Sequence, residues 1–416
     1  MKDLRAFVCC TCFGAWLGLA TPVDLGAETL TLQEAVDRAL THHPSLQIQR
    51  WAVKEAEGQR RSAGQWPNPS GVYAREDLRY RGQEGGEWTA ALSLPLGFLW
   101  TRRPQVAAAS ARLESAHQTL AQVKNQLRFA VQQTFVEVFC ATQAYRSWQQ
   151  TTALFHQAAQ VSAERLAEGD VGGYEQQRLD LEARQYQQRE GEAYLAMVES
   201  RQHLALLLGP ETDPTTFEVA GTFPSPAPEV SVAELTARSL SQRPDLQAAR
   251  AQLNAAQAEV QAAHRQALPP ARLSAGYKQQ EDRFSGVVTQ LEMELPLFDR
   301  AQGEILGARA RLEQQQMAVA LLERQITQEV QQSYRRAQLY RDQLTALDAA
   351  EAPSLDALLE TAQYSYAEGE MDLVGLLDGV RAYSAGVQAR YELLRQYQLS
   401  LYEMELSTGI PLLNIE

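Results

Sequence analysis

The chain has 416 residues, a formal net charge of −13 and 45% hydrophobic residues. An acidic balance of this size argues against nucleic acid as a partner. Three of the four cysteines lie before residue 13, so Cys140 stands alone afterwards and no internal disulfide framework is expected. Ala and Leu dominate the apolar residues, with many Gln, Glu and Arg, a mixture that points to long helices packed as coiled coils.

Residues 1–27 read as an export signal. Lys2 and Arg5 precede the apolar run Ala6 to Ala20, and Leu25-Gly26-Ala27 before Glu28 is the expected cleavage site, with Gly18-Leu19-Ala20 a second choice. That run is shorter than the roughly twenty residues a spanning helix needs. Cys9, Cys10 and Cys12 lack the Leu-small-small context of a lipoprotein site. No later segment reaches eighteen uninterrupted apolar residues, so an exported chain of this kind is either soluble or a β-barrel.

Residues 28–209 form a first unit. A short helix over 32–42 ends before Pro44, which suits the first turn of the next helix. That helix stops at Pro67-Asn68-Pro69. Two strands of period-two alternation follow, about 71–80 and 88–96, joined by a polar link from Arg81 to Glu87. Val72, Ala74, Leu78 and Tyr80 share one face of the first strand; Arg75 and Asp77 fall on the other, charged face. Trp88, Tyr73, Tyr80, Phe98 and Trp100 collect near strand ends, as in the aromatic girdles of membrane barrels. A helix from about Pro104 to Glu168 then carries apolar positions stepping by four and three, roughly 95 Å at 1.5 Å per residue. Gly169 ends it, a short turn to Gly173 reverses the chain, and a return helix runs to Leu208.

Residues 210–230, rich in Pro and acidic residues, link this unit to a second over 231–410, with a tail at 411–416. The second unit repeats the first at an offset of about 200. Leu40-Thr41-His42-His43-Pro44-Ser45-Leu46-Gln47 answers to Leu240-Ser241-Gln242-Arg243-Pro244-Asp245-Leu246-Gln247, and Ala167-Glu168-Gly169-Asp170 to Ala367-Glu368-Gly369-Glu370. Its strands are expected at about 271–281 and 287–297, with Glu292 and Glu294 on the polar face; its long helix is interrupted by Pro353. A period this long excludes short-repeat solenoids.

The fold class is therefore mainly α with a small β part: two tandem repeats, each a long coiled-coil hairpin with a β-hairpin at its other end. Four strands cannot close, and open edges do not survive in hydrocarbon. Two chains would pool eight strands around a filled interior and three would pool twelve around a pore. A trimer enclosing a β-barrel and a coaxial helical tube meets both needs.

With these residues in this order, the chain resembles the outer-membrane factors, the TolC-like exit ducts of tripartite efflux pumps and type I secretion systems, over about 30–410. Ala63-Gly64-Gln65-Trp66-Pro67-Asn68-Pro69, Glu168-Gly169-Asp170-Val171 and Ala352-Pro353 are similar to the branch serving cobalt–zinc–cadmium-type metal efflux. Leu99-Trp100-Thr101-Arg102-Arg103 departs from the Gly-Gly-Lys-Arg stretch frequent there. The resemblance implies a homotrimer with a twelve-stranded outer-membrane barrel continuous with a twelve-helix periplasmic tunnel. It also implies a periplasmic adaptor, and an inner-membrane pump of the resistance-nodulation-division type or an ABC exporter. Adaptor docking is implied at the tips, Gly169, Asp170, Gly369 and Glu370. Of two acidic constriction positions in relatives, the first aligns with Gly375 and the second with Asp378. Arg75, Asp77, Glu292 and Glu294 are expected to face the lumen.

No nucleotide-binding loop, nucleophile elbow or zinc-ligand spacing occurs, so neither an enzyme nor a cofactor is implied. His42-His43 point different ways on a helix, and their counterpart is Gln242-Arg243. The expected function is passive conduction, with heavy-metal cations as the suggested cargo. The alternatives are a duct for drug efflux or type I secretion, and a periplasmic adaptor or coiled-coil scaffold. Adaptors carry one hairpin nested in other segments, and a soluble scaffold leaves the aromatic-edged strands without purpose.

Overall fold

The computed structural model describes residues 28–80, 83–169, 171–210, 212–221, 223, 231–350 and 355–409. The signal segment, Asp170, Pro353 and the tail at 411–416 lie outside these. In chain order the first repeat contains β1 (Glu28–Leu30), α1 (Leu32–His42), α2 (Pro44–Gly64), β2 (Ser70–Tyr80), β3 (Gln83–Pro95), α3 (Phe98–Glu168) and α4 (Gly173–Leu208). A short β4 (Phe217–Val219) precedes the second repeat. That repeat contains α5 (Val232–Gln242), α6 (Pro244–Gln266), β5 (Ala271–Gln280), β6 (Ser285–Met293), α7 (Gln302–Ala350), α8 (Leu355–Ala367) and α9 (Leu373–Thr408). No helix among the described residues is long and apolar enough to cross a membrane, which says nothing of a β-barrel.

Local chemistry accounts for the helix boundaries. Thr31 and Glu34 form a reciprocal capping box at the start of α1. The Thr31 backbone N–H and hydroxyl hold the Glu34 carboxyl below its usual range. Pro44 and Pro244 open α2 and α6, where a missing N–H costs nothing. Gly169 and Gly369 close the long helices with φ of +84° and +76°, a region an L side chain rarely enters. α3 runs for 71 residues, roughly 105 Å. It starts at Phe98, not Pro104: so close to the N-terminus, the proline forfeits only the bond to the Trp100 carbonyl. In the second repeat the equivalent described helices are α7 and α8, with residues 351–354 outside the described set.

The strands form one antiparallel sheet in the order β2-β3-β5-β6, so β3–β5 pairing joins the two repeats. The first hairpin is tighter than its sequence suggests. Gly85, Gly86 and Glu87 read as loop residues but pair with Leu78, Asp77 and Glu76, and β3 begins at Gln83. At the other end β6 stops at Met293, short of Leu297. The Glu294 N–H still reaches the Pro270 carbonyl, but Pro296 has no donor and Leu297 turns back onto Leu295.

A second, parallel sheet of β1 and β4 was not foreseen. It folds part of the 210–230 stretch onto the body, with Leu30 and Phe217 buried. Around it lies the main core, where Phe135, Val136 and Val131 of α3 meet Tyr397, Leu401 and Tyr402 of α9 and Leu204 of α4. A smaller cluster near the hairpin tips joins Phe155, Leu179 and Tyr186 to Leu376, Leu377 and Val380. Full burial of such side chains stabilises by about 1.5–3 kcal/mol each.

The repeats have diverged at one equivalent position. His43 caps α2, its ring bonded to the Ser45 hydroxyl at 2.7 Å, and His42 turns to the Arg38 carbonyl. Arg243 is instead buried, paired with both Asp245 oxygens and with Glu329 at 2.5 Å, and donates to the Ser407 carbonyl at 3.0 Å. One guanidinium thus fastens α5, α6, α7 and the C-terminus of α9 together.

Two outcomes test this fold. A Cβ on Gly276 would come within 2.4 Å of the Ala90 carbonyl oxygen, whereas one on Gly71 meets nothing within 4 Å. Gly276→Val should abolish β3–β5 pairing and with it recovery of the folded protein, while Gly71→Val should be recovered as the parent is. Cys140, 8% exposed, has its thiol pushed up to about 12 by burial. Since the thiolate is the nucleophile, a maleimide at pH 8 should leave native Cys140 unlabelled and modify it fully after denaturation.

Candidate functional site

The sheet has two unlike faces. Along β5, Leu273, Ala275 and Tyr277 are exposed while Ser274, Gly276, Lys278 and Gln280 between them are partly covered. Along β3, Ala90 and Leu92 are exposed, Ala91 is half-buried, and Ser93 is 3% exposed. The covered face is therefore the concave one, and it is polar. Lys278 binds Glu87 at 2.5 Å, Gln280 donates to Glu87 at 2.8 Å, and the Ser274 and Ser93 hydroxyls bond at 2.9 Å. The convex face carries Leu92, Leu273, Val287 and Leu291, all at least 45% exposed. Its aromatic residues adjoin: the Trp88 ring lies 6.3 Å from Tyr73 and 5.9 Å from Tyr277. A curved ribbon with polar inside and apolar outside is what a membrane barrel wall requires.

Register decides which predicted residues line the concave side. Glu292 pairs with Arg272 on the polar face, and Glu294 follows with the same parity just past β6. Arg75 and Asp77 do not join them. They stand opposite Trp88 and Gly86, on the convex face with Leu92 and Tyr277, and pair with each other at 3.1 Å. Alternation within β2 alone identifies two faces but not which is concave; only pairing with β3 fixes the phase. The apolar set Val72 and Ala74 in fact shares the concave face with Ala91 and Thr89. Arg75 and Asp77 lie closer to the hairpin turn than the Tyr73 rung, where a convex-face charge can reach polar surroundings.

Below the sheet, the first and last helices of the upper body each leave an apolar edge uncovered. On α2, Leu46 and Val53 pack inward, while Ile48 and Trp51 are 65% and 72% exposed on the far side. On α7, Ala308, Val319 and Ile326 pack inward; Leu306, Met317 and Leu321 are 71%, 70% and 58% exposed on the opposite side. Trp51 and Met317 both lie about 20 Å along their helices from the sheet at 1.5 Å per residue.

At the far end the two tips touch each other. Arg165 donates to the Ala367 carbonyl at 3.1 Å and places its guanidinium 5.7 Å from the Tyr366 ring centre. Tyr366 donates to Glu175 at 2.8 Å; burial first, then this bond, pushes its hydroxyl up to about 12. Gly369 is required twice over, by its φ and because a Cβ would sit 2.8 Å from the Arg165 guanidinium. Glu370 and Met371 donate their backbone N–H groups to the Ser365 carbonyl, and Asp372 caps α9 at Gly375. Asp378 lies further along α9, its side chain 72% exposed, 4.0 Å from Arg381. Arg381 in turn binds Glu182 of α4 at 3.1 Å. Arg165, Glu175, Tyr366, Glu182 and Arg381 were not singled out from sequence. The 200-residue offset puts both tips at one height, but side chains that bridge them carry no periodic signal.

Residues 235–409 match the family profile described as outer membrane efflux protein. The cobalt-zinc-cadmium resistance protein CzcC of Cupriavidus metallidurans is 24% identical over 356 residues, covering 85% of this chain and 84% of that protein. A membrane protein from Pseudomonas aeruginosa shares the fold with a TM-score of 0.77 at 19% identity, over 97% of this chain and 99% of that one. The CmeC outer membrane channel of Campylobacter jejuni does so with a TM-score of 0.77 at 15% identity, over 92% and 87%. The fold of those channels, the profile on the second repeat and a relative aligned along most of the chain all point the same way: the chain is similar to the outer membrane efflux proteins.

Proposed function

We propose that the chain is the outer-membrane exit duct of a tripartite efflux system, a homotrimer that passively conducts cargo received from a periplasmic adaptor and an inner-membrane pump. The observation that carries this reading is the four-stranded ribbon with a polar concave face, an apolar convex face and no partner for β2 or β6 among the described residues. In hydrocarbon each unpaired N–H or C=O costs several kcal/mol, so β6 of one copy must meet β2 of the next. Three copies give twelve strands, enough for a pore. The uncovered edges of α2 and α7 support the same operation. They are different surfaces on opposite sides of one body, so their contact is head-to-tail and closes as a ring.

Glu87, Lys278, Glu292 and Glu294 then line the barrel lumen, while Arg75 and Asp77 face outward near its rim. Twelve helical strands continue the duct across the periplasm. Likeness to CzcC makes heavy-metal cations the proposed cargo. Asp378, once per subunit, would form a three-carboxylate ring at the narrow end. No energy-coupling step is assigned to this chain; the pump supplies it. Gly169, Asp170, Gly369 and Glu370 mark the ends proposed to receive the adaptor.

Two outcomes check this reading. Trp51→Cys with Met317→Cys in one chain should be joined between subunits by a short bis-maleimide, giving a covalent trimer on denaturing gels. A ladder ending at dimer, or linkage only within subunits, would refute the arrangement. Cysteines at Asp170 and Glu370 should crosslink to a co-expressed adaptor hairpin, and a cysteine at mid-helix Gln188 should not; equal capture at all three positions would remove the tips as the docking place.

A further inference from the structure

Arg381 stands between two carboxylates of unequal exposure. Its Nη2 is 3.1 Å from Glu182 Oε1 and its Nη1 is 4.0 Å from Asp378 Oδ1. The Glu182 side chain is 12% exposed, Asp378 72% and Arg381 53%. A carboxylate largely withdrawn from water is costly to leave uncompensated, whereas an exposed one keeps its hydration. The guanidinium therefore goes to Glu182, and Asp378, one helical turn away on α9, keeps most of its charge for solution. If Glu182 lost that charge, the same guanidinium would need only a side-chain rotation of about an ångström to close on Asp378.

From this geometry we propose that Glu182 and Arg381 are positioning residues that set the cation selectivity of the duct: Glu182 holds Arg381 away from Asp378 and so keeps the Asp378 ring anionic. The inference rests on reading Asp378 as the constriction, and extends it from one residue to a three-member device spanning α4 and α9. The ligand class is a hydrated metal cation. In a trimer the device occurs three times around one axis, so a small change per subunit is felt as a summed field where the pore is narrowest.

The test uses the purified full-length mature oligomer in a planar bilayer, with cation over anion permeability read from the reversal potential in a potassium chloride gradient. Glu182→Gln should lower that ratio by about twofold or more, and Arg381→Gln should raise it by a similar factor. Asp378→Asn should lower it alone and make Glu182→Gln silent in the double variant. A purely structural role for the Glu182–Arg381 pair would move both variants the same way. Shifts of the same sign, or none, beside a clear loss in Asp378→Asn would overturn this inference and leave the constriction standing. An Asp378→Asn channel as cation-selective as its parent would overturn both. Because the two variants are expected to move in opposite directions, Arg381→Gln still decides the matter if Glu182→Gln does not assemble.

Discussion

The structure depends first on where two rows of backbone hydrogen-bonding groups find partners. β2 and β6 are long, regular edge strands that present N–H and C=O groups with no strand opposite them among the described residues. In water such edges invite aggregation, and in lipid they are excluded. Soluble proteins blunt them with charges, prolines or bulges; β6 has none of these from Ser285 to Leu291. In water the apolar convex face leaves Leu92, Leu273, Val287 and Leu291 as an exposed apolar patch, the mark of a surface that meets a partner or lipid. In the proposed trimer, lipid outside and sister strands at both edges meet both demands. At Gly276, where a Cβ would meet the Ala90 carbonyl oxygen, β5 pairs with β3, and that pairing makes two short hairpins into one four-stranded unit.

How much of this was legible in the sequence follows from how local each determinant is. Capping residues, prolines and the tip glycines act within one helical turn, so α1 and α4 fall within a residue or two of their expected bounds and α2 begins at Pro44 as expected. The strands were legible as strands because alternation is a property of a single segment. Their mutual phase was not, because register belongs to a pair. Arg75 and Asp77 show the consequence: alternation sets them on the face opposite Val72, but only pairing with β3 sets that face beside Trp88. The Gly85-Gly86 stretch misled for a related reason. Glycine is permitted in a loop, yet here a Cβ on Gly86 would meet the Glu76 carbonyl oxygen at 3.0 Å, so glycine serves close strand approach.

Duplication explains the architecture, and divergence explains where the copies have separate duties. At 43 and 243 the same place in the motif holds a solvent-side cap in one copy and a buried clasp in the other. A repeat pair that kept strict symmetry could not place Arg243, Glu329 and the α9 terminus together, since the first copy has no carboxylate at the position matching Glu329.

Stability is distributed unevenly along the body, and this bears on how a duct could change state. The main cluster at mid-height draws on α1, α3, α4, α5, α7 and α9 together with the small β1–β4 sheet. The cluster toward the tips is less than half as large, and the hydroxyls of Thr152 and Ser384, buried in α3 and α9, have no hydrogen-bond partner among the described residues. What joins the tips beyond that cluster is mostly side-chain bonding: Arg165 to Ala367, Tyr366 to Glu175, Arg381 to Glu182. Bonds of this kind contribute about 0.5–1.5 kcal/mol each, up to about 3 where a charge is involved. They are also the groups that water or an incoming adaptor's polar side chains can replace one for one. Local opening draws on the least stable part of a structure, so separation of the two hairpins at the tips is favoured over any rearrangement of the mid-height core. The Arg381–Glu182 pair lies within that yielding zone, so on the proposed reading a motion that parts the tips also frees the guanidinium beside Asp378.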